Sequence, residues 1–124
     1  MPWIVDGMNV IGAGGGQSQW WRDRDAAMLA LVDLIERWAA EHNEEVTVVF
    51  ERKPSPPIRS TVIEVAHAPK PKRDAADDEI IRRLKAISNP HAITVVTSDR
   101  WLAERAGVLG AVVIGADSFR GRLQ

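Results

Sequence analysis

Ile93-Thr94-Val95-Val96-Thr97-Ser98-Asp99 decides the fold class, because it is a β-branched run that ends just before a carboxylate. It is too short and too continuously apolar for an amphipathic helix, and it predicts a buried strand over 93–97. The same pattern stands near the N-terminus, where Trp3-Ile4-Val5 leads into Asp6-Gly7, and again where Val46–Phe50 leads into Glu51. Thr61–Val65 and Ala111–Ile114 are two further runs rich in β-branched residues, with a proline-rich turn ahead of the first.

Between these runs the apolar period changes. Met28, Leu31, Val32, Ile35, Trp38 and Ala39 recur at helical spacing between Arg24 and Glu41, and Asn43 supplies a stop. Asp74 is placed to cap a second helix that runs to about Ser88, where Asn89-Pro90 ends it. Leu102, Ala103 and Ala106 predict a short helix stopped by Gly107, and Asp117 or Ser118 a cap for a last helical turn. Asp6-Gly7 reads as a turn and Gly12–Gly16 as a flexible loop. The order βαββαβαβα predicts an α/β fold, a mostly parallel sheet of about five strands covered on both faces, in one domain spanning 1–124.

Composition narrows the chemistry. The 124 residues contain no cysteine, which excludes disulfides, thiolate metal sites and thiol catalysis and fits a cytoplasmic location. No stretch is long or apolar enough to cross a bilayer, and the N-terminus carries no signal-peptide pattern. The net charge of −1 argues against a surface basic all over, so any polyanion must be met by local patches. Lys70, Lys72 and Arg73 form one such patch, and Arg52, Lys53 and Arg59 a looser one.

In open parallel sheets ligands bind beyond the carboxyl ends of the strands, and there this chain puts Asp6, Glu51 and Asp99. Helical phase selects a fourth acid. Ile80, Ile81, Leu84 and Ile87 mark the buried face of the second long helix, and Asp77 precedes the first two by three and four residues, so it points inward. Asp78 and Glu79 phase with Arg82, Arg83 and Lys85 and read as solvent-side ion-pair partners. Each acid also has a purely structural reading: a helix-dipole partner for Asp77, an N-cap for Asp99, a turn for Asp6-Gly7, and a cap, the favoured one, for Asp117. Converging carboxylates repel one another unless a cation joins them, and hard oxygen donors favour Mg²⁺ or Mn²⁺.

Those residues resemble the NYN nuclease family, particularly its YacP-like branch within the PIN-like superfamily. Asp6-Gly7-Met8-Asn9-Val10-Ile11 is similar to the family's opening Asp-Gly-x-Asn motif, and Val48-Val49-Phe50-Glu51 to its second strand. Ala76-Asp77 matches the start of its acidic helix, and Thr97-Ser98-Asp99-Arg100 its Thr-Ser-Asp turn. The resemblance implies a three-layer PIN-like Rossmannoid fold and Mg²⁺- or Mn²⁺-dependent endoribonuclease activity. It makes Asp6, Asp77 and Asp99 metal ligands and catalytic groups, and gives Asn9 the task of orienting a ligand or a water. Glu51 stands where many relatives carry Asp, either as a further ligand or one step removed, and Ala75 stands where a hydroxyl is common.

The expected partner is RNA, single-stranded or structured, with no membrane and with homodimerisation left open. Lys70, Lys72 and Arg73, held by prolines just before the helix of Asp77, form an expected phosphate track, joined by Ser98 and Arg100 beside Asp99. Trp20 and Trp21 are candidates for base stacking, with core or lid packing the commoner use of tryptophan. His42, His67 and His91 show no ligand spacing and read as surface or loop residues. Three alternatives compete. A nucleotide-binding module is suggested by the glycines after the first strand, but the fingerprint spacing and the phosphate-loop Lys-Ser/Thr pair are missing. A phosphoacceptor receiver lacks its acid pair and lysine. A PIN-like RNA-binding domain with little catalysis is the remaining alternative.

Overall fold

The apolar runs form five strands: β1 (Pro2–Asp6), β2 (Glu45–Phe50), β3 (Glu64–His67), β4 (Thr94–Val96) and β5 (Val112–Ile114). Five helices accompany them in a computed structural model that describes residues 2–14, 20–70, 72 and 74–123. They are α1 (Gly7–Ala13), α2 (Arg24–His42), α3 (Ala75–Lys85), α4 (Arg100–Val108) and α5 (Ala116–Leu123), with 3₁₀ turns at Trp20–Arg22 and Pro90–Ala92. Arg73, Pro71 and the end of the Gly12–Gly16 loop lie outside the described residues.

All strand pairs are parallel, in the order β3-β2-β1-β4-β5. Side-chain alternation then builds two cores. Trp3, Val5, Val46, Val48, Phe50 and Val96 face α1, α2 and α5, whereas Ile4, Val49, Ala66 and Val95 face α3 and α4. The result is the three-layer arrangement, with β1 central and buried on both sides. The chain winds from β1 to β2 and β3 in one direction and to β4 and β5 in the other, so the winding reverses between β1 and β4. That reversal opens a crevice at the carboxyl ends of the two strands.

The longest helix stops at Asn43 as its sequence predicts, and its N-cap is a residue the period does not mark. Asp23 caps α2 by accepting from the Ala26 amide at 3.0 Å, and Asn43 closes it in the left-handed conformation at φ 53°. Other boundaries differ from expectation. Asp6-Gly7 is no free turn: β1 passes straight into α1, whose Val10 and Ile11 are buried against the first core. Packing overrides the weak helical propensity of a segment with two glycines. Gly7 serves close approach, since a Cβ there would overlap the buried Phe50 ring and lie 3.1 Å from Val48 Cγ2. β3 begins at Glu64, three residues later than expected, and α3 stops at Lys85 rather than near Ser88. α4 runs through Gly107, and the break comes at Gly110, whose φ of 100° suits glycine. Asp117 lies inside the first turn of α5, which begins at Ala116, and is therefore not its cap. Among the described residues no helix is long and apolar enough to cross a membrane.

Candidate active site

The crevice between β1 and β4 is a cleft of about 250 Å³ lined by Asp6, Met8, Asn9, Trp20, Arg24, Glu51, Asp74, Ala76, Asp77 and Asp99. Five of these are carboxylates, each delivered by the end of a strand or the start of a helix. Asp6 closes β1, Glu51 follows β2, Asp74 and Asp77 sit at the start of α3, and Asp99 is the N-cap of α4.

Asp6 is almost fully buried, 5% exposed, and its Oδ2 accepts from the Thr97 hydroxyl at 3.0 Å. Burial pushes its carboxyl up to about 6, against the pull of hydrogen bonds from Thr97 and the Asn9 amide, and the charges of Asp99 and Glu51 add to the rise. Asp77, 7% exposed, faces inward as its helical phase predicts. Burial raises it to about 7, followed by the charges of Asp6, Asp99, Asp74 and Asp78. Asp99 is both cap and cleft residue: its Oδ1 accepts from the Leu102 amide at 2.9 Å while the side chain lines the cleft. The structural reading of Asp99 and the functional one therefore hold together.

Two residues lock this rim. The Thr97 hydroxyl donates to Asp6 and accepts from the Asp99 amide at 3.1 Å, tying the two acids through one oxygen. Asn9 Oδ1 accepts from the Ser98 amide at 2.7 Å and so fixes α1 to the turn after β4. Ser98 Oγ in turn accepts from the Ala116 amide at 2.8 Å, holding the start of α5. Thr97 does not stand out in the sequence beyond its place in the Thr-Ser-Asp turn; it sits just past the end of β4, between two acids that only the topology brings together.

The expected cations are scattered. Lys72 is exposed, pairs with Asp78 at 3.2 Å and lines a hollow beside the cleft, whereas Lys70 is exposed and Arg100 is exposed at the first position of α4. Arg73 is outside the described residues. Arg24 and Trp20 do line the cleft, and of the two only the tryptophan is a candidate from the sequence. Trp21 is half-exposed and outside it. The exposed pairing expected of Glu79 needs correction: it binds Arg82 and Arg83, but it is 5% exposed, covered by the two guanidinium groups. His42 donates to the Trp38 carbonyl and His67 to the Ala68 carbonyl, and no histidine lines the cleft.

The donor set suits a hard divalent cation, being all oxygen, and such a cation would offset both the burial that chiefly raises Asp6 and Asp77 and the neighbouring carboxylate charges that add to it. Among the described residues, however, no three acidic or histidine side chains stand close enough to hold a metal ion as they are. The cleft gathers its carboxylates without closing them into a ligand set.

Comparison with known proteins fits this architecture. The structure superposes on crystal structures of Rae1 (YacP) from Bacillus subtilis, a point variant and the unmodified protein, with TM-scores of 0.78 and 0.76. Each is 23% identical, with 98% of this chain and 74% and 73% of theirs covered. No curated protein sequence matches. The YacP-like NYN domain matches residues 3–124. With residues 3–124 matched and its fold shared with those crystal structures, the chain belongs to the YacP-like NYN domain family.

Proposed function

We propose that this protein is a metal-dependent endoribonuclease that hydrolyses RNA phosphodiester bonds in the acidic cleft. One observation carries the reading: two almost fully buried carboxylates, Asp6 and Asp77, are held beside Asp99 at the winding reversal of a parallel sheet, both raised first by burial, with the charge of Asp99 adding to each. Stability alone gives no reason to collect like charges there, and perturbed carboxylates in a crevice are a mark of function. Asp6, Asp77 and Asp99 would hold Mg²⁺ or Mn²⁺, with Glu51 at the rim as a fourth oxygen donor. Bound there, the cation would supply an activated water and neutralise charge on the phosphate as the bond breaks.

The chain's own residues do the positioning. Thr97 fixes the orientation of the Asp6 carboxylate, and Asn9 fixes the turn that presents Asp99. Asn9 therefore acts through Ser98 in orienting the site. Exposed Lys70, Lys72 and Arg100, with Arg73 and the Ser98 hydroxyl, would take phosphates of the bound strand.

The deciding experiment incubates the protein with labelled single-stranded RNA, structured RNA and single-stranded DNA, with and without Mn²⁺, beside Asp99→Asn. Mn²⁺-dependent RNA cleavage lost in the variant is expected. Because the carboxylates do not close into a ligand set, an RNA-binding domain with little catalysis is the second reading, and RNA bound but uncut under every condition would establish it.

A further inference from the structure

Beyond its carboxylates the cleft shares lining residues with two neighbouring hollows. Trp20, half-buried, also lines a groove of about 430 Å³ between α1, α2 and α5 whose cations are Arg22 and Arg120. Arg24, exposed at the start of α2, also lines a hollow of about 260 Å³ where Arg52 and Lys72 stand. The acidic centre is thus bordered by two cation-bearing hollows; Trp20 lines both the centre and the first, and Arg24, with Met8 and Glu51, both the centre and the second. They also meet each other, with the Arg24 guanidinium carbon 5.8 Å from the Trp20 ring centroid, within cation–π reach.

The cations are not equivalent. Arg52 is paired with Asp25 at 2.9 Å and Lys72 with Asp78 at 3.2 Å. Among the described residues no carboxylate pairs with Arg24. A flat indole next to a guanidinium that no described carboxylate neutralises, on the rim of an acidic cleft, matches a ligand that alternates aromatic rings with anions. Bases in a duplex stack on their neighbours and offer no free face; an unpaired base does.

We propose that Trp20 and Arg24 form a subsite for one unpaired nucleotide beside the phosphate in the cleft, with the base stacked on Trp20 and a phosphate on Arg24. The pair would set a preference for single-stranded RNA, and this proposal rests on the ribonuclease reading of the cleft. A packing role alone makes a different prediction. Trp20 leans on the first core, so its loss would then lower stability with no regard to what base is present.

The test measures equilibrium binding of a short oligoadenylate, and of versions carrying one abasic position, by fluorescence anisotropy in chelator and again with Ca²⁺. Wild type is compared with Trp20→Phe, Trp20→Ala and Arg24→Gln, each first shown to be folded by circular dichroism. Trp20→Ala should weaken binding roughly tenfold and Trp20→Phe should recover most of the loss, since base–aromatic stacking tolerates any π-face. One abasic position should cost wild type the same factor and cost Trp20→Ala nothing further, the mark of a coupled pair. Arg24→Gln should flatten the salt dependence by roughly one phosphate contact. Additive losses, wild-type affinity in folded Trp20→Ala, or no oligoadenylate binding by wild type would each overturn the subsite. Binding of the expected kind by a protein that never cuts RNA would keep the subsite and sink the ribonuclease reading. Cleavage indifferent to Trp20 would do the reverse.

Discussion

Asp77 and Glu79 are two residues apart on α3, both with side chains almost closed to solvent, and yet their surroundings act in opposite directions. Burial, with the charges of Asp6 and Asp99, pushes Asp77 up to about 7. Glu79 is held at about 2, first by its hydrogen bonds with Arg82 and then by Arg83, with N–O distances of 2.6 to 2.9 Å. Burial of the residue is nearly equal; the neighbours differ. One helix therefore carries a carboxylate arranged for stability and another arranged against it. Groups kept in the second condition are where function is to be sought.

The sharpest way to break this contrast is by activity. Asp77→Asn is expected to lower Mn²⁺-dependent RNA cleavage roughly a hundredfold or more. Asp78→Asn, on the exposed side and paired with Lys72, should change it only slightly. Single-turnover rates on labelled RNA decide this, and equal losses would remove the distinction between inward and outward faces of α3.

Metal binding gives the next largest effect. A cation that binds the folded state should raise the melting temperature, by about 2.7 kcal/mol of stabilisation at a hundredfold excess over Kd. Asp6→Asn should abolish most of that rise and raise the melting temperature of the metal-free protein. Calorimetry showing equal Mn²⁺ affinity for wild type and Asp6→Asn would take Asp6 out of the ligand set.

Acidity separates the two carboxylates in opposite windows. The folded-state value of Asp77 lies above its ordinary 3.8, so the folded protein binds the proton more tightly. The stability penalty from Asp77 is absent below about pH 3.8, grows as pH rises towards about 7 and is complete above it. Glu79, held below its ordinary 4.5, contributes stability that is full above about 4.5 and lost as pH falls towards about 2. Thermal melts in chelator should therefore lose their decline above pH about 4 in part with Asp77→Asn, and their acid-side decline in part with Glu79→Gln. An unchanged alkaline-side slope in Asp77→Asn would show that its carboxyl is not under pressure.

The smallest effect is on stability alone. Glu79→Gln should cost about 1–2 kcal/mol in urea denaturation, because two arginines lose their charged acceptor near the surface, with RNA cleavage unaltered. A cleavage defect as large as that of Asp77→Asn would erase the contrast on α3.

Much of this was legible in the sequence because it depended on period. The strands announced themselves by β-branched runs, and Asp77 was separated from Asp78 by phase against Ile80, Ile81 and Leu84, which the structure places in or against the second core. What depended on tertiary contact was not legible. Gly7–Ala13 has little helical propensity, and its helix exists because Val10 and Ile11 find the first core. Glu79 looked solvent-facing since a helical wheel counts position and not the cover that Arg82 and Arg83 provide. Thr97 and Asn9 join elements distant in sequence, with hydrogen bonds spanning 91 and 89 positions, which no local pattern announces. The similarity to the opening and Thr-Ser-Asp motifs points to the acids, and Trp20 is a stacking candidate already in the sequence; its place at the cleft and the Arg24 beside it come from geometry.

The direct passage from β1 into α1, with no connecting loop between Asp6 and Gly7, bears on how this chain can vary in length. Added residues there would rotate the first acid out of the crevice and lift Gly7 from the Phe50 ring. The crossover of residues 51–63, which joins β2 to its parallel neighbour β3 without a helix, is under no such constraint along its exposed parts. Lengthening a surface loop costs only slowly growing closure entropy. Insertions, tags or fused segments should be tolerated in the exposed parts of that crossover, away from Glu51, and rejected at the first strand's end, which makes those parts the place to attach a reporter without disturbing the acids.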